Sequence, residues 1–252
     1  MLTVVANAQR KGNEHIAADV LFMRVVHELS VQSGKTNIAV NYALQLAGEG
    51  KAVSIADLDI VNPYFRTADS AKELKAAGVH LITPQFANSN VDLPALPAEA
   101  YRLITDKQTY GIMDIGGDDR GAYALGRYVP SIVEENNYRM VFVANCYRPL
   151  TRTPEEALEV MREIEAACHL RFTDIVNNSN LGSETDAETV LQSLSYIEKL
   201  SQISGLPVFL HTAKADVAQQ LALKLPNVMA LELQEKYFDL PEQKPCNRPL
   251  WG

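Results

Sequence analysis

The amino-acid sequence predicts an α/β protein, a three-layer, mostly parallel sheet flanked by helices on both faces. Three observations carry this. Short apolar runs alternate with segments of helical spacing along almost the whole chain. Parallel neighbours need long crossovers, and the intervening helices supply them as right-handed βαβ units. The 252 residues contain no internal repeat and no low-complexity linker, which suits one large domain.

The elements follow in order. Val20–Val26 reads as a first buried strand. Thr36–Leu46 reads as a helix, with Ile38, Ala39, Tyr42, Ala43 and Leu46 at helical spacing, and Gly48 and Gly50 stop it. Ala52–Ala56 is a second strand ending at Asp57, Val79–Thr83 a third stopped by Pro84, and Tyr110–Ile115 a fourth ended by Gly116 and Gly117. Met140–Ala144 is a fifth. The helix after it has a clear start: Thr153 caps, Pro154 suits the first helical position, and Glu155 and Glu156 favour the positive helix end. Thr173–Val176 is a sixth strand, Asp186–Leu200 a helix, and Val208–His211 and Val228–Leu233 are further strands. The expected domain spans 23–235, between an N-terminal extension, 1–22, and an irregular tail, 236–252, rich in proline and polar residues.

Apolar residues make up 47% and charged residues 21%, ordinary globular values that argue against disorder. The formal net charge of −8 disfavours nonspecific affinity for nucleic acid or anionic lipid. No apolar run approaches the ~20 residues that cross a bilayer. The first twenty residues carry Arg10, Lys11, Glu14 and Asp19 and no long apolar block, so no secretory signal is expected. Cys146, Cys168 and Cys246 form no C-x-x-C pair, and their odd count fits a reducing, cytoplasmic setting.

Ser33-Gly34-Lys35-Thr36 lies between the first strand and its helix, where a P-loop belongs. Lys35 would neutralise β- and γ-phosphate oxygens, and the Thr36 hydroxyl would ligate Mg²⁺. The plainer alternative is a helix that starts with a glycine turn and an exposed lysine. The loop departs from G-x-x-x-x-G-K-[ST]: Leu29 stands at the first glycine, and Val31 and Gln32 fill places where related loops carry glycine. Side chains there would strain the backbone or narrow the phosphate nest.

Asp114 ends the fourth strand, a position from which a carboxylate holds Mg²⁺ through water, and the Gly117 N–H would reach a γ-phosphate. A solvated acidic turn, with Asp118 and Asp119, is the alternative. Asp57 and Asp59 sit at another strand end, where ligand groups gather in open α/β sheets. One would orient metal-bound water and the other the attacking water; alternatively they cap the next turn.

Gly34-Lys35-Thr36-Asn37, the stretch Asp57-Leu-Asp-Ile-Val-Asn-Pro-Tyr-Phe-Arg-Thr-Ala-Asp69, Asp114-Ile-Gly-Gly-Asp118, Arg148-Pro-Leu-Thr-Arg-Thr-Pro-Glu-Glu156 and Val176-Asn-Asn-Ser-Asn-Leu-Gly182 together resemble the CobQ/CobB/MinD/ParA nucleotide-binding group. The resemblance runs from about Ser33 to about Leu223 and implies a MinD/ParA-like P-loop NTPase fold with ATP and Mg²⁺ as ligands. It implies that Ser33, Gly34, Lys35, Thr36 and Asn37 hold phosphates, with Lys35 also catalytic. Asp59 would position hydrolytic water, and Thr36, Asp57 and Asp114 would serve Mg²⁺. Asn177 or Asn178 would contact adenine, since an amide offers both donor and acceptor to a base edge; a turn-forming Asn-Asn pair is the alternative. A homodimer formed on ATP binding is implied too, although Ser30 stands where dimeric members carry an extra lysine.

Asn62–Thr67 would be a switch segment moving with the γ-phosphate, or Tyr64 and Phe65 would plug the sheet end. The expected function is a Mg-dependent ATPase acting as a nucleotide-state switch, with a protein partner. The alternatives are a non-hydrolysing sensor or adaptor, favoured by Leu29 and Gln32, and an ATP-dependent phosphotransferase or ligase on a small metabolite. Membrane targeting is not expected, because Pro241–Gly252 holds three prolines and two basic residues and forms no basic amphipathic helix.

Overall fold

The computed structural model describes residues 20–24, 34–58, 67–83, 98–115 and 125–232. Eight strands, β1 (Val20–Arg24), β2 (Val53–Leu58), β3 (His80–Ile82), β4 (Tyr110–Ile115), β5 (Tyr138–Ala144), β6 (Asp174–Asn177), β7 (Val208–Lys214) and β8 (Val228–Leu231), form one sheet. Its order is β3-β2-β4-β1-β5-β6-β7-β8, and every neighbouring pair is parallel. The chain runs outward from β1 to β3, returns to β4, and then crosses to the other side with β5. That reversal puts a crevice outside the carboxyl ends of the central strands.

The helices among the described residues are α1 (Lys35–Gly48), α2 (Ala71–Ala76), α3 (Arg102–Thr105), α4 (Val129–Glu135), α5 (Pro154–Cys168), α6 (Ala187–Gln192), α7 (Leu194–Ser204) and α8 (Ala215–Leu221). They divide the apolar side chains between two faces. Ile38, Ala39, Ala43 and Leu46 of α1 bury against Val53 and Ile55 of β2, Ile112 of β4 and Val141 and Val143 of β5. On the other face, Val160, Met161 and Ile164 of α5 and Ile197 and Leu200 of α7 pack with Met140, Phe142 and Ile175. Each strand thus feeds both cores by its two-residue alternation, as a sheet covered on both sides requires.

The α5 start matches its sequence signature: Thr153 Oγ1 accepts from the Glu156 N–H at 3.2 Å, and Glu156 Oε2 accepts from the Thr153 N–H at 2.9 Å. This reciprocal capping box satisfies two helix-end donors. Thr153→Ala is expected to lower unfolding free energy by about 1 kcal/mol in urea denaturation.

Three sequence expectations change. The helix expected over 186–200 is two helices, α6 and α7, broken at Ser193. The buried Ser193 hydroxyl donates to the Val190 carbonyl at 2.7 Å and accepts from Asn177 Nδ2 at 2.9 Å, so a serine serves the sheet end where a continuous helix would bury an apolar residue. β2 runs through Asp57 to Leu58, so Asp57 lies within the ladder rather than after it. β1 begins at Val20, so 20–22, which the sequence also grouped with the extension, belong to the sheet. Val25, Val26, Pro84, Leu233 and the tail 236–252 lie outside the described residues.

Candidate functional site

The first turn of α1 is built against ordinary helix chemistry. Gly34, the N-cap residue, has φ 77° and ψ 0°, a left-handed conformation that glycine adopts without steric cost, and it offers no side-chain cap. Lys35 follows at the first helical position, and the first turn holds no acidic residue. A cation there opposes the helix dipole by about 0.3–1 kcal/mol. α5, with Glu155 and Glu156 in its first turn, shows the usual arrangement. Lys35 is only 9% exposed and Thr36 is buried beside it. Such an end is suited to an external anion.

Two carboxylates come from the neighbouring strands. In β2, Val53 and Ile55 face α1, so Asp57 faces α1 too; in β4, Tyr110 and Ile112 face α1, so Asp114 does as well. The ladder pairs Asp57 directly with Asp114, and Asp114 with Met23 of β1 on its other side. Parallel neighbours lie about 4.8 Å apart. Asp57 is 2% exposed and Asp114 is 1% exposed. Thr67, fully buried in the 3₁₀ turn Thr67–Ser70, donates from Oγ1 to Asp114 Oδ2 at 2.9 Å.

Consecutive strand residues point to opposite faces, and this separates Asn177 from Asn178. Asn177 follows Ile175 toward α7. Its Nδ2 donates to Ser193 Oγ at 2.9 Å and to His211 Nδ1 at 3.3 Å, while its Oδ1 accepts from the Ser179 N–H at 3.2 Å. Both of its donors are therefore committed inside the protein, which is support for the β6 end. Asn178 follows Val176 toward α1, and its Nδ2 lies against Gly34, where any Cβ would collide with it. Its Oδ1 accepts from Thr212 Oγ1 at 2.8 Å.

His211 carries a pH consequence. Because Asn177 donates to Nδ1, the neutral ring holds its proton on Nε2, and burial pushes the pKa below the ordinary histidine value. Between the folded and unfolded pKa the unfolded chain takes up a proton that the native chain refuses. Stability from this residue is therefore full above pH ~6.5 and declines as pH falls below it, by at most about 1.4 kcal/mol per pH unit. Urea midpoints measured from pH 8 to pH 5.5 are expected to fall more steeply for wild type than for His211→Gln.

The donor set facing α1 is all oxygen: two carboxylates on adjacent strands and the Thr36 hydroxyl. That suits a hard cation such as Mg²⁺, which takes one or two carboxylates and fills its remaining positions with water and phosphate. Among the described residues no cluster of three His, Cys, Asp or Glu side chains is placed to hold a metal. Asn37 continues the first turn, and its carbonyl accepts from Asn41 Nδ2 at 2.7 Å. Ser33, Asp59 and Gly117, and with them Leu29 and Gln32, lie outside the described residues. Sequence reasoning placed Thr67 at the end of the switch segment Asn62–Thr67 without linking it to Asp114, and assigned no role to Thr212. Only the two-residue alternation of β6 offered a signal, since it separates the two asparagines.

No protein-family model and no curated protein sequence matches the chain. Solved structures do. FtsY from Mycoplasma mycoides is 14% identical with a TM-score of 0.50, over 79% of this chain and 62% of that one. Chloroplast FtsY from Physcomitrella patens is 14% identical with a TM-score of 0.51, over 82% of this chain and 62% of that one. The chain thus spans less than two thirds of the length of these structures. The shared fold is the α/β fold of the P-loop NTPases, with a parallel sheet flanked by helices. No described helix is long and apolar enough to cross a membrane.

Proposed function

We propose that this protein binds a nucleoside triphosphate, ATP, with Mg²⁺ at the carboxyl ends of β1, β2 and β4, and that it acts as a nucleotide-state switch with ATPase activity. One observation carries the reading: Asp57 and Asp114 stand side by side in the ladder, buried on the same face as the lysine-headed, glycine-capped start of α1. A glycine-capped, acid-free helix start offers its backbone amides to an anion. Two carboxylates side by side in the ladder offer oxygen ligands to a cation. A Mg-phosphate group uses both.

In this reading the Lys35 ammonium and the amides of the first α1 turn bind the phosphates. Thr36, Asp57 and Asp114 hold Mg²⁺, which when bound supplies charge neutralisation between phosphate oxygens. Thr67 fixes one Asp114 oxygen and so orients the carboxylate. Following the resemblance to the MinD/ParA group, Asp59 positions the attacking water, and the Gly117 amide and Ser33 contact phosphate. Asn178, on the α1 face, takes over the nucleotide-side role that Asn177 shared in the sequence reading. A homodimer formed on ATP binding and a protein partner belong to the same proposal.

Binding without turnover is the second reading, favoured by Leu29 and Gln32 in the phosphate loop. A screen of ATP, GTP and their diphosphates with Mg²⁺, reporting bound nucleotide and released phosphate together, separates the two. The first reading expects binding with slow phosphate release, because none of its residues supplies an arginine finger. Saturable binding with no release selects the second, and no binding of any nucleotide defeats both.

A further inference from the structure

We infer that Thr212 is a positioning residue of the phosphate-binding turn, acting through the Asn178 carboxamide on Gly34; this rests on the nucleotide reading above. The ladder pairs Asn177 with His211, so the next residues, Asn178 and Thr212, come together on the α1 face. Asn178 is 3% exposed and Thr212 is 1% exposed. The Thr212 hydroxyl donates to Asn178 Oδ1 at 2.8 Å and lies 3.3 Å from the Asn177 carbonyl oxygen. Fixing Oδ1 toward β7 turns the amide nitrogen toward Gly34, whose Cα has no room for a side chain on that side.

The backbone of Asn178 is held as firmly. Its N–H donates to the Ala144 carbonyl at 2.8 Å, and its own carbonyl accepts from Asn180 Nδ2 at 2.7 Å. The amide is therefore a rigid wall behind the left-handed Gly34, and Thr212 sets which of its ends faces the glycine. Gly34 must keep φ positive for Lys35 and Thr36 to open the helix as they do. A threonine on β7, three strands from β1 in the sheet, thereby shapes the phosphate seat without touching ligand.

The test compares Thr212→Val, which keeps shape and loses the hydroxyl, with Thr212→Ser, which keeps the hydroxyl. Hydrogen exchange of the segment 34–38 in nucleotide-free protein reads the turn itself, and calorimetric titration with Mg-ATP reads its consequence. Thr212→Val is expected to speed exchange at 34–38 and to weaken Mg-ATP binding roughly tenfold, the loss of about one hydrogen bond. Thr212→Ser is expected to restore both. Should Thr212→Val fail to fold, Thr212→Ala removes the same hydroxyl with a smaller side chain, and the same two losses are expected. Unchanged exchange and affinity in Thr212→Val, or a lowered melting temperature alone, overturns the inference. If wild type binds no nucleotide, the functional reading falls, and the exchange comparison still decides whether Thr212 holds the turn.

Discussion

Lys35→Ala is expected to weaken Mg-ATP binding by roughly 100-fold while leaving the fold intact. A charged hydrogen-bonding partner contributes about 1.5–3 kcal/mol, and each 1.4 kcal/mol is about tenfold in affinity. Lys35 stands at the upper end because its side chain is buried. The stability of the nucleotide-free protein is expected to move by less than about 1 kcal/mol, since a first-turn lysine opposes the helix dipole and alanine favours the helix. Isothermal titration of both proteins, with urea unfolding as the control, measures the two effects separately. Equal affinities would remove Lys35 from the phosphate site.

Gly34→Ala is expected to damage both fold and site. At φ 77° an alanine costs about 1–2 kcal/mol for its left-handed backbone. Its Cβ also runs into Asn178 Nδ2, and forced overpacking adds about 1–3 kcal/mol. Relief requires either the Asn178 amide or the first turn of α1 to shift. A lowered urea midpoint together with lost Mg-ATP binding is the expected pair. Wild-type stability in the variant would mean that the turn does not depend on this glycine.

Much of the architecture was legible because parallel strands buried on both faces leave long apolar runs. Tyr110–Ile115 is a strand over the same residues in sequence and structure, and the Thr153 start of α5 was readable from local cap chemistry alone. The Ser193 break was not, since it depends on an asparagine sixteen residues away that only the folded sheet brings near. The short helices α2, α3, α4 and α8 have too few turns to show a helical period.

At the site, Gly34, Lys35, Thr36, Asp57 and Asp114 were visible because each sits beside a strand or helix end. Strand parity, applied to Asn177 and Asn178, would have shown that they face opposite layers. The contacts of Thr67 and Thr212 stayed hidden for a different reason. Thr67 meets Asp114 across 47 residues and Thr212 meets Asn178 across 34, and only the folded chain brings those pairs together.

The phosphate seat itself is most directly tested by nitrogen–proton correlation spectra of the protein during a titration with Mg-ATP, with Mg-GTP as comparison. Saturable shifts concentrated on the backbone amides of residues 34–37, abolished in Lys35→Ala, are the predicted result. Saturable nucleotide binding whose shifts leave those amides unmoved would contradict the account.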